Sequence, residues 1–231
     1  MIVLTPSFKL LSPVTMEELT PEDGVNMMKH IERCGRICYK SEGAITDNSY
    51  DKFIRGLISR GHESVLEHSF VTAIITTDRG VTHEIVRHRL ASYSQESTRY
   101  CNYAKDKFGN EIQLIDIRGG MAQDQTMENL NEDDFALIFD EWSKAVRDAE
   151  QHYMNMIALG ASPQIARSVL PNSTKADIVV TMDIRAWRHF FKLRCAPAAH
   201  PQMREIAIPM LVEMYKLMPA LFDDIYWGMY K

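Results

Sequence analysis

Arg87-His88-Arg89-Leu90-Ala91-Ser92-Tyr93-Ser94-Gln95-Glu96-Ser97-Thr98-Arg99-Tyr100 sets three arginines among serine, threonine and tyrosine hydroxyls. From Ser92 to Asn102 the run is polar and has no sustained apolar periodicity, which predicts an ordered loop. Arginine presents a rigid fork of donors that matches phosphate, and serine hydroxyls complete an anion shell. Composition alone leaves three readings open here: a solvated surface loop, an anion or nucleotide pocket, and an RNA contact through aromatics and arginines. No recognisable RNA-binding module accompanies the stretch.

Working outward, Ser69 to Thr77 carries Phe70, Val71, Thr72, Ile74, Ile75 and Thr76, a β-branched run that predicts a strand. Asp78-Arg79-Gly80 punctuates it, and Val81 to Val86 suits a short helix. Farther upstream, Thr20-Pro21-Glu22-Asp23 supplies a capping hydroxyl, a proline at the first helical position and an acid at the third, predicting a helix to about Tyr39. Tyr50 to Arg60 predicts a second helix stopped by Gly61, and Met1 to Leu4 a short edge strand. Downstream, Glu111 to Ile117 alternates as a strand, ended by Gly119 and Gly120. Asn131 and Asp134 start a long amphipathic helix in which Phe135, Ile138, Trp142, Ala145, Ala149, Tyr153 and Met156 recur at helical spacing as far as Gly160. Shorter helices are expected from Ser162-Pro163 towards Pro171, from Asp183 to Arg194 and from Gln202 to Met218. Helices dominate a smaller sheet without a repeating strand–helix alternation, so the fold class is α+β.

With 231 residues, 45% hydrophobic and 25% charged, the chain has material for a substantial core and is expected to form a single domain over 1–231. A formal net charge of -5 gives no global reason to seek nucleic acid or an anionic membrane, so neither is expected as a partner. The opening MIVLTPSFKLLSPV lacks a basic region before a long apolar core, and no segment offers about 18 uncharged apolar residues. A cytoplasmic location is the expectation. Cys34, Cys38, Cys101 and Cys195 include no CxxC pair and are too sparse for a disulfide framework, so they read as reduced thiols.

Two further polar sets stand out. Asp183, Arg185, Trp187, His189 and Arg194 fall on a predicted helix, where Arg185 and His189 share one face and Asp183, Trp187, Phe190 and Arg194 run along another. Arg194 then either snorkels at the helix end or meets a ligand. Gly61-His62-Glu63-Ser64 and Glu67-His68 precede the first strand; the histidine spacing is not that of a helix-borne HExxH site, and no metal is expected. Capping and cofactor contact both remain open for this set. GxGxxG and P-loop sequences are missing, so a nucleotide cofactor needs another architecture.

The Arg87 stretch resembles the RHRxxSxxxxSxR signature of flavin-dependent thymidylate synthases, keeping Arg87-His88-Arg89, Ser92, Ser97 and Arg99 in register. The resemblance continues through Gly61-His62-Glu63, Glu67-His68, Ala166-Arg167, Val169-Leu170-Pro171, Leu193-Arg194 and Gln202 to Ile206, covering most of residues 50 to 210. It implies a helix-rich domain around a small mixed β-sheet, bound FAD, and a homotetramer whose active sites draw on more than one subunit. It further implies methylation of deoxyuridine monophosphate (dUMP) to thymidine monophosphate (dTMP), with 5,10-methylenetetrahydrofolate giving the carbon, a reduced nicotinamide (NADPH) reducing the flavin, and tetrahydrofolate released. By matching position His62, Ser64, Arg87, His88 and Arg89 fall in the flavin environment, and Asp183, Arg185 and His189 beside the flavin ring. Ser97, Arg99 and Arg167 match phosphate-binding positions, Gln95 and Glu96 lie in the same substrate loop, and Arg194 matches an arginine directed at the uracil and is the expected catalytic residue. Glu84 stands where some relatives carry a glutamine that faces the base. The nearest alternatives are another nucleotide-binding flavoprotein and an RNA-binding module.

Overall fold

The computed structural model describes residues 1–229. Its strands are β1 (Ile2–Leu4), β2 (Ser7–Leu11), β3 (Phe70–Asp78), β4 (Ser92–Gln95), β5 (Gln113–Ile115) and β6 (Lys175–Asp183). Its helices are α1 (Pro21–Tyr39), α2 (Ser49–Ser59), α3 (Arg79–Ile85), α4 (Arg118–Gln123), α5 (Glu132–Ala158), α6 (Pro163–Ala166), α7 (Ile184–Arg194), α8 (Pro201–Leu217) and α9 (Pro219–Gly228). This is a helix-rich α+β fold in which parallel and antiparallel pairings both occur, divided between two sheets. The larger sheet is antiparallel in the order β2-β3-β6-β4, and β1 pairs with β5 in parallel.

The frame of the molecule is the β3–β6 ladder, which runs in register from Phe70 opposite Asp183 to Asp78 opposite Lys175. Along β6 every second residue, Ala176, Ile178, Val180 and Met182, is buried, the period expected of a strand with one face on a core. That alternation was present in the sequence and β6 was not among the expected strands; nor was β2. The expected loop from Ser92 is also corrected, because Ser92–Gln95 forms β4 on the free edge of β6. Its side chains are polar on both faces, so no periodicity marks it, and backbone pairing with β6 is what makes it a strand.

Helices cover the sheet with an apolar layer. The α7 side chains Trp187, Phe190 and Phe191 are buried together with Met203, Met210, Leu211 and Met214 of α8 and Leu221 and Phe222 of α9. Trp187 donates its indole N–H to the Val71 carbonyl at 3.0 Å, satisfying the one polar atom that this ring carries inside. Thr20 caps α1 through a reciprocal pairing with Asp23, as its sequence predicts. Gly119 and Gly120 do not end a strand: β5 stops at Ile115 and the two glycines sit inside α4, where a Cβ would collide with Glu205 and Gln202 of α8. A smaller cluster of Tyr103, Ile112, Leu114, Val146 and Tyr153 packs under α5. Only Val146 and Tyr153 of that long helix are buried, and Leu137 and Ile138 remain exposed. Among the described residues no helix is long and apolar enough to cross a membrane.

Candidate active site

The register of the sheet assembles the site. Because Phe70 pairs with Asp183, the 3₁₀ turn over Glu63–His68 that enters β3 and helix α7 that leaves β6 emerge side by side at one end of the ladder. Asp183 caps α7 by accepting from the Ala186 N–H at 2.8 Å. Arg185 then reaches Glu67 at 2.5 Å, and Lys192 lies 3.8 Å from Glu63. β4 begins opposite Thr181, which brings the preceding residues 87–90 back to the same end as the third wall.

These walls enclose a cavity of about 760 Å³. Its cations are Arg87, Arg89, Arg185, Lys192 and Arg194, and its carboxylates are Glu63, Glu67 and Asp183, leaving two positive charges in excess. Among the described residues Arg87 and Arg89 have no ion-pair partner. The rings of His88 and His189 meet edge-on at 5.9 Å between centroids, and Leu90 and Leu193 add exposed apolar surface. Lys192 was not among the expected site residues, although it follows Arg185 and His189 at helical spacing and was legible from that register.

Arg194, at the last turn of α7, is held on three sides. Its Nε donates to His88 Nε2 at 3.0 Å, Nη1 to the Glu84 carboxylate at 2.9 Å and Nη2 to the Glu84 main-chain carbonyl at 3.0 Å. Burial, then the charge of Arg194 and then His189 push the His88 imidazole down to about 4, so at neutral pH it is uncharged and its Nε2 lone pair is available to accept. The Tyr93 hydroxyl ties the backbone under this group by donating to the carbonyls of Ile85 at 2.9 Å and His88 at 2.5 Å. Burial raises that phenol to about 12, so it stays a donor.

The remaining sequence-derived candidates gather elsewhere. Arg99 donates to Gln164 at 3.2 Å and its main-chain N–H to the Ser97 hydroxyl at 3.3 Å, while Arg167 donates to Thr98 at 3.3 Å. Ser97, Arg99 and Arg167 therefore form a second basic set that does not line the cavity. Glu96 is occupied by Lys175 at 3.0 Å and the Tyr103 hydroxyl at 3.2 Å, and Gln95 donates to Thr82 at 2.9 Å. His62 and Ser64 also lie outside the lining, with the His62 ring 2.9 Å from the Tyr39 hydroxyl.

A family model described as thymidylate synthase complementing protein matches residues 24–220. The chain belongs to the flavin-dependent thymidylate synthase family. Relatives carrying that name include one from Geobacter sulfurreducens, 33% identical over 82% of this chain and 78% of its own length. Another, from Mycobacterium tuberculosis, is 32% identical over 93% and 85%. In fold the chain is similar to a solved UMP/dUMP methylase from Streptomyces cacaoi bound with 5-Br dUMP, at a TM-score of 0.75 with 24% identity and 96% of each chain covered.

The family is one of FAD-dependent enzymes, and the cavity's donor set fits that cofactor. Arg87 and Arg89 carry uncommitted forks suited to a pyrophosphate, the two histidines and exposed leucines suit a planar ring, and the volume lies in the range of small-molecule sites.

Proposed function

We propose that this chain converts dUMP to dTMP by reductive methylation, with 5,10-methylenetetrahydrofolate as carbon donor and FAD reduced by NADPH, releasing tetrahydrofolate. The observation that carries this reading is the Arg194 guanidinium fixed in the wall of a cation-rich cavity. Arg87, Arg89 and Arg185 would hold the anionic and polar parts of FAD, with His88, His189 and Asp183 near its ring. Bound FAD supplies the redox chemistry that completes the transferred methyl group. Arg194 would stabilise negative charge developing on a uracil carbonyl, an interaction stronger in a dry site than in water.

A covalent cysteine plays no part in this reading: no thiol lines the cavity among the described residues, and burial pushes Cys195 up to about 12. Ser97, Arg99 and Arg167 would bind the nucleotide phosphate, with Gln95 and Glu96 shaping their loop and His62 and Ser64 contributing to the flavin environment from outside the lining. The separation of the phosphate set from the cavity supports a homotetramer whose sites combine groups from different subunits, as do the exposed Leu137, Ile138, Leu159 and Ile165. The chain would act as one unit over 1–231, in the cytoplasm. Expressed in a bacterium lacking its own thymidylate synthase, it should remove the thymidine requirement. Continued dependence on thymidine despite soluble, FAD-loaded protein would count against the assignment.

A further inference from the structure

Arginine carries five N–H donors in a rigid plane. In Arg194 three of them are engaged inside the protein, one each by the His88 ring, the Glu84 carboxylate and the Glu84 carbonyl. Two donors therefore remain for a ligand in the cavity that Arg194 lines. A single residue, Glu84, supplies two of the three internal acceptors, one from its side chain and one from its backbone. It lies near the C-terminal end of α3, whose position is fixed by the buried Val81, Thr82 and Ile85 and by the Tyr93 hydroxyl on the Ile85 carbonyl. The pair is partly withdrawn from water, with the Arg194 and Glu84 side chains 19% and 33% exposed. A long side chain at a helix end otherwise keeps much of its rotamer freedom, and fixing it before the ligand arrives removes an ordering cost from the productive complex.

From this geometry we infer that Glu84 is a positioning residue: it aims the Arg194 guanidinium into the cavity, and it does not itself bind the pyrimidine. This rests on the function proposed above and names the residue that makes it work. A carboxylate facing a uracil could accept from N3–H but would oppose the carbonyl oxygens on either side, whereas facing Arg194 it meets a cation at 2.9 Å. Glutamine at the same position keeps one oxygen to accept from Nη1 and leaves the carbonyl contact untouched.

The test compares Glu84→Ala and Glu84→Gln as FAD-loaded enzymes. Glu84→Ala should lower kcat on the order of 10- to 100-fold, with the KM for dUMP moved less than about threefold, because a misaimed group costs more in the transition state than in binding. Glu84→Gln should recover most of that loss. In an Arg194→Lys background Glu84→Ala should cost less than about twofold in single-turnover dTMP formation, since the planar fork that Glu84 aims is gone. Nitrogen-detected NMR of the arginine side chains supplies a readout independent of turnover: the Arg194 guanidinium should rotate slowly in the parent protein and fast in Glu84→Ala. Full activity of Glu84→Ala, an undiminished loss in the lysine background, or an unchanged Arg194 signal overturns the inference. If the parent protein makes no dTMP at all, the proposed function falls, and the NMR comparison still decides the positioning role.

Discussion

Arg188 and Arg194 belong to the same helix and are both ion-paired, yet they belong to different kinds of region. Arg188 is 1% exposed and turned into the core, where it donates to both oxygens of Asp224 at 2.8 Å and to the Leu221 carbonyl. Arg194 sits in a cavity wall and keeps donors to spare. The first arginine locks α9 onto α7, and the second is held out for a ligand. What separates them is whether the guanidinium is closed off inside the core or opens on a cavity, a distinction that charge and spacing alone do not carry.

The comparison breaks most visibly at Arg194. Arg194→Ala should lower the rate of methyl transfer about 10²- to 10³-fold, the scale seen when one donor to a developing anion is removed, while FAD occupancy changes little. Single-turnover kinetics on protein of matched flavin content would check this. At the core arginine the expected effect is on stability. Asp224→Ala should cost about 2–3 kcal/mol in denaturant unfolding, less than a fully buried pair because Asp224 is 41% exposed. The same change should cost far less in an Arg188→Met background, where no buried cation is stranded.

Smaller effects sharpen the contrast between the cavity and the second basic set. Arg99→Ala should raise the dUMP dissociation constant about tenfold, equivalent to about 1.4 kcal/mol, and change kcat little. Isothermal titration would read this, and an unmoved affinity removes Arg99 from the phosphate site. A pH-dependent effect concerns Glu205, which burial, then Asp116 and Asp78, raise to about 7. Because this carboxyl is raised in the folded state, it binds its proton more tightly there than when unfolded. Stability is therefore lost as pH climbs from the ordinary glutamate range through about 7. Glu205→Gln should raise the melting temperature more at pH 8 than at pH 5; an equal shift at both values contradicts the assignment.

Much of this was readable from residues. The caps at Thr20 and Asn131, the strand from Phe70 and the helix from Ile184 all carry local signals of propensity or capping, and they form where those signals place them. The Arg87 motif, with Asp183, Arg185 and His189, likewise led to the residues that the cavity brings together. β4 was illegible because its edge position is set by a strand far away in the chain. The clamp on Arg194 was illegible for a related reason: Glu84 and Arg194 meet only after β3, α3, β4, β6 and α7 have taken their places. The separate location of Ser97, Arg99 and Arg167 also depends on tertiary placement, not on motif spacing.

The most direct test is an anaerobic turnover experiment with FAD-loaded protein, dUMP, 5,10-methylenetetrahydrofolate and NADPH, resolving nucleotide and folate products by mass. The account predicts dTMP and tetrahydrofolate in equal amounts, with Arg194→Ala protein reducing its flavin but forming almost no dTMP. Reduction of the flavin by the parent protein without any methylated nucleotide, under conditions where dUMP binding is verified, would contradict it.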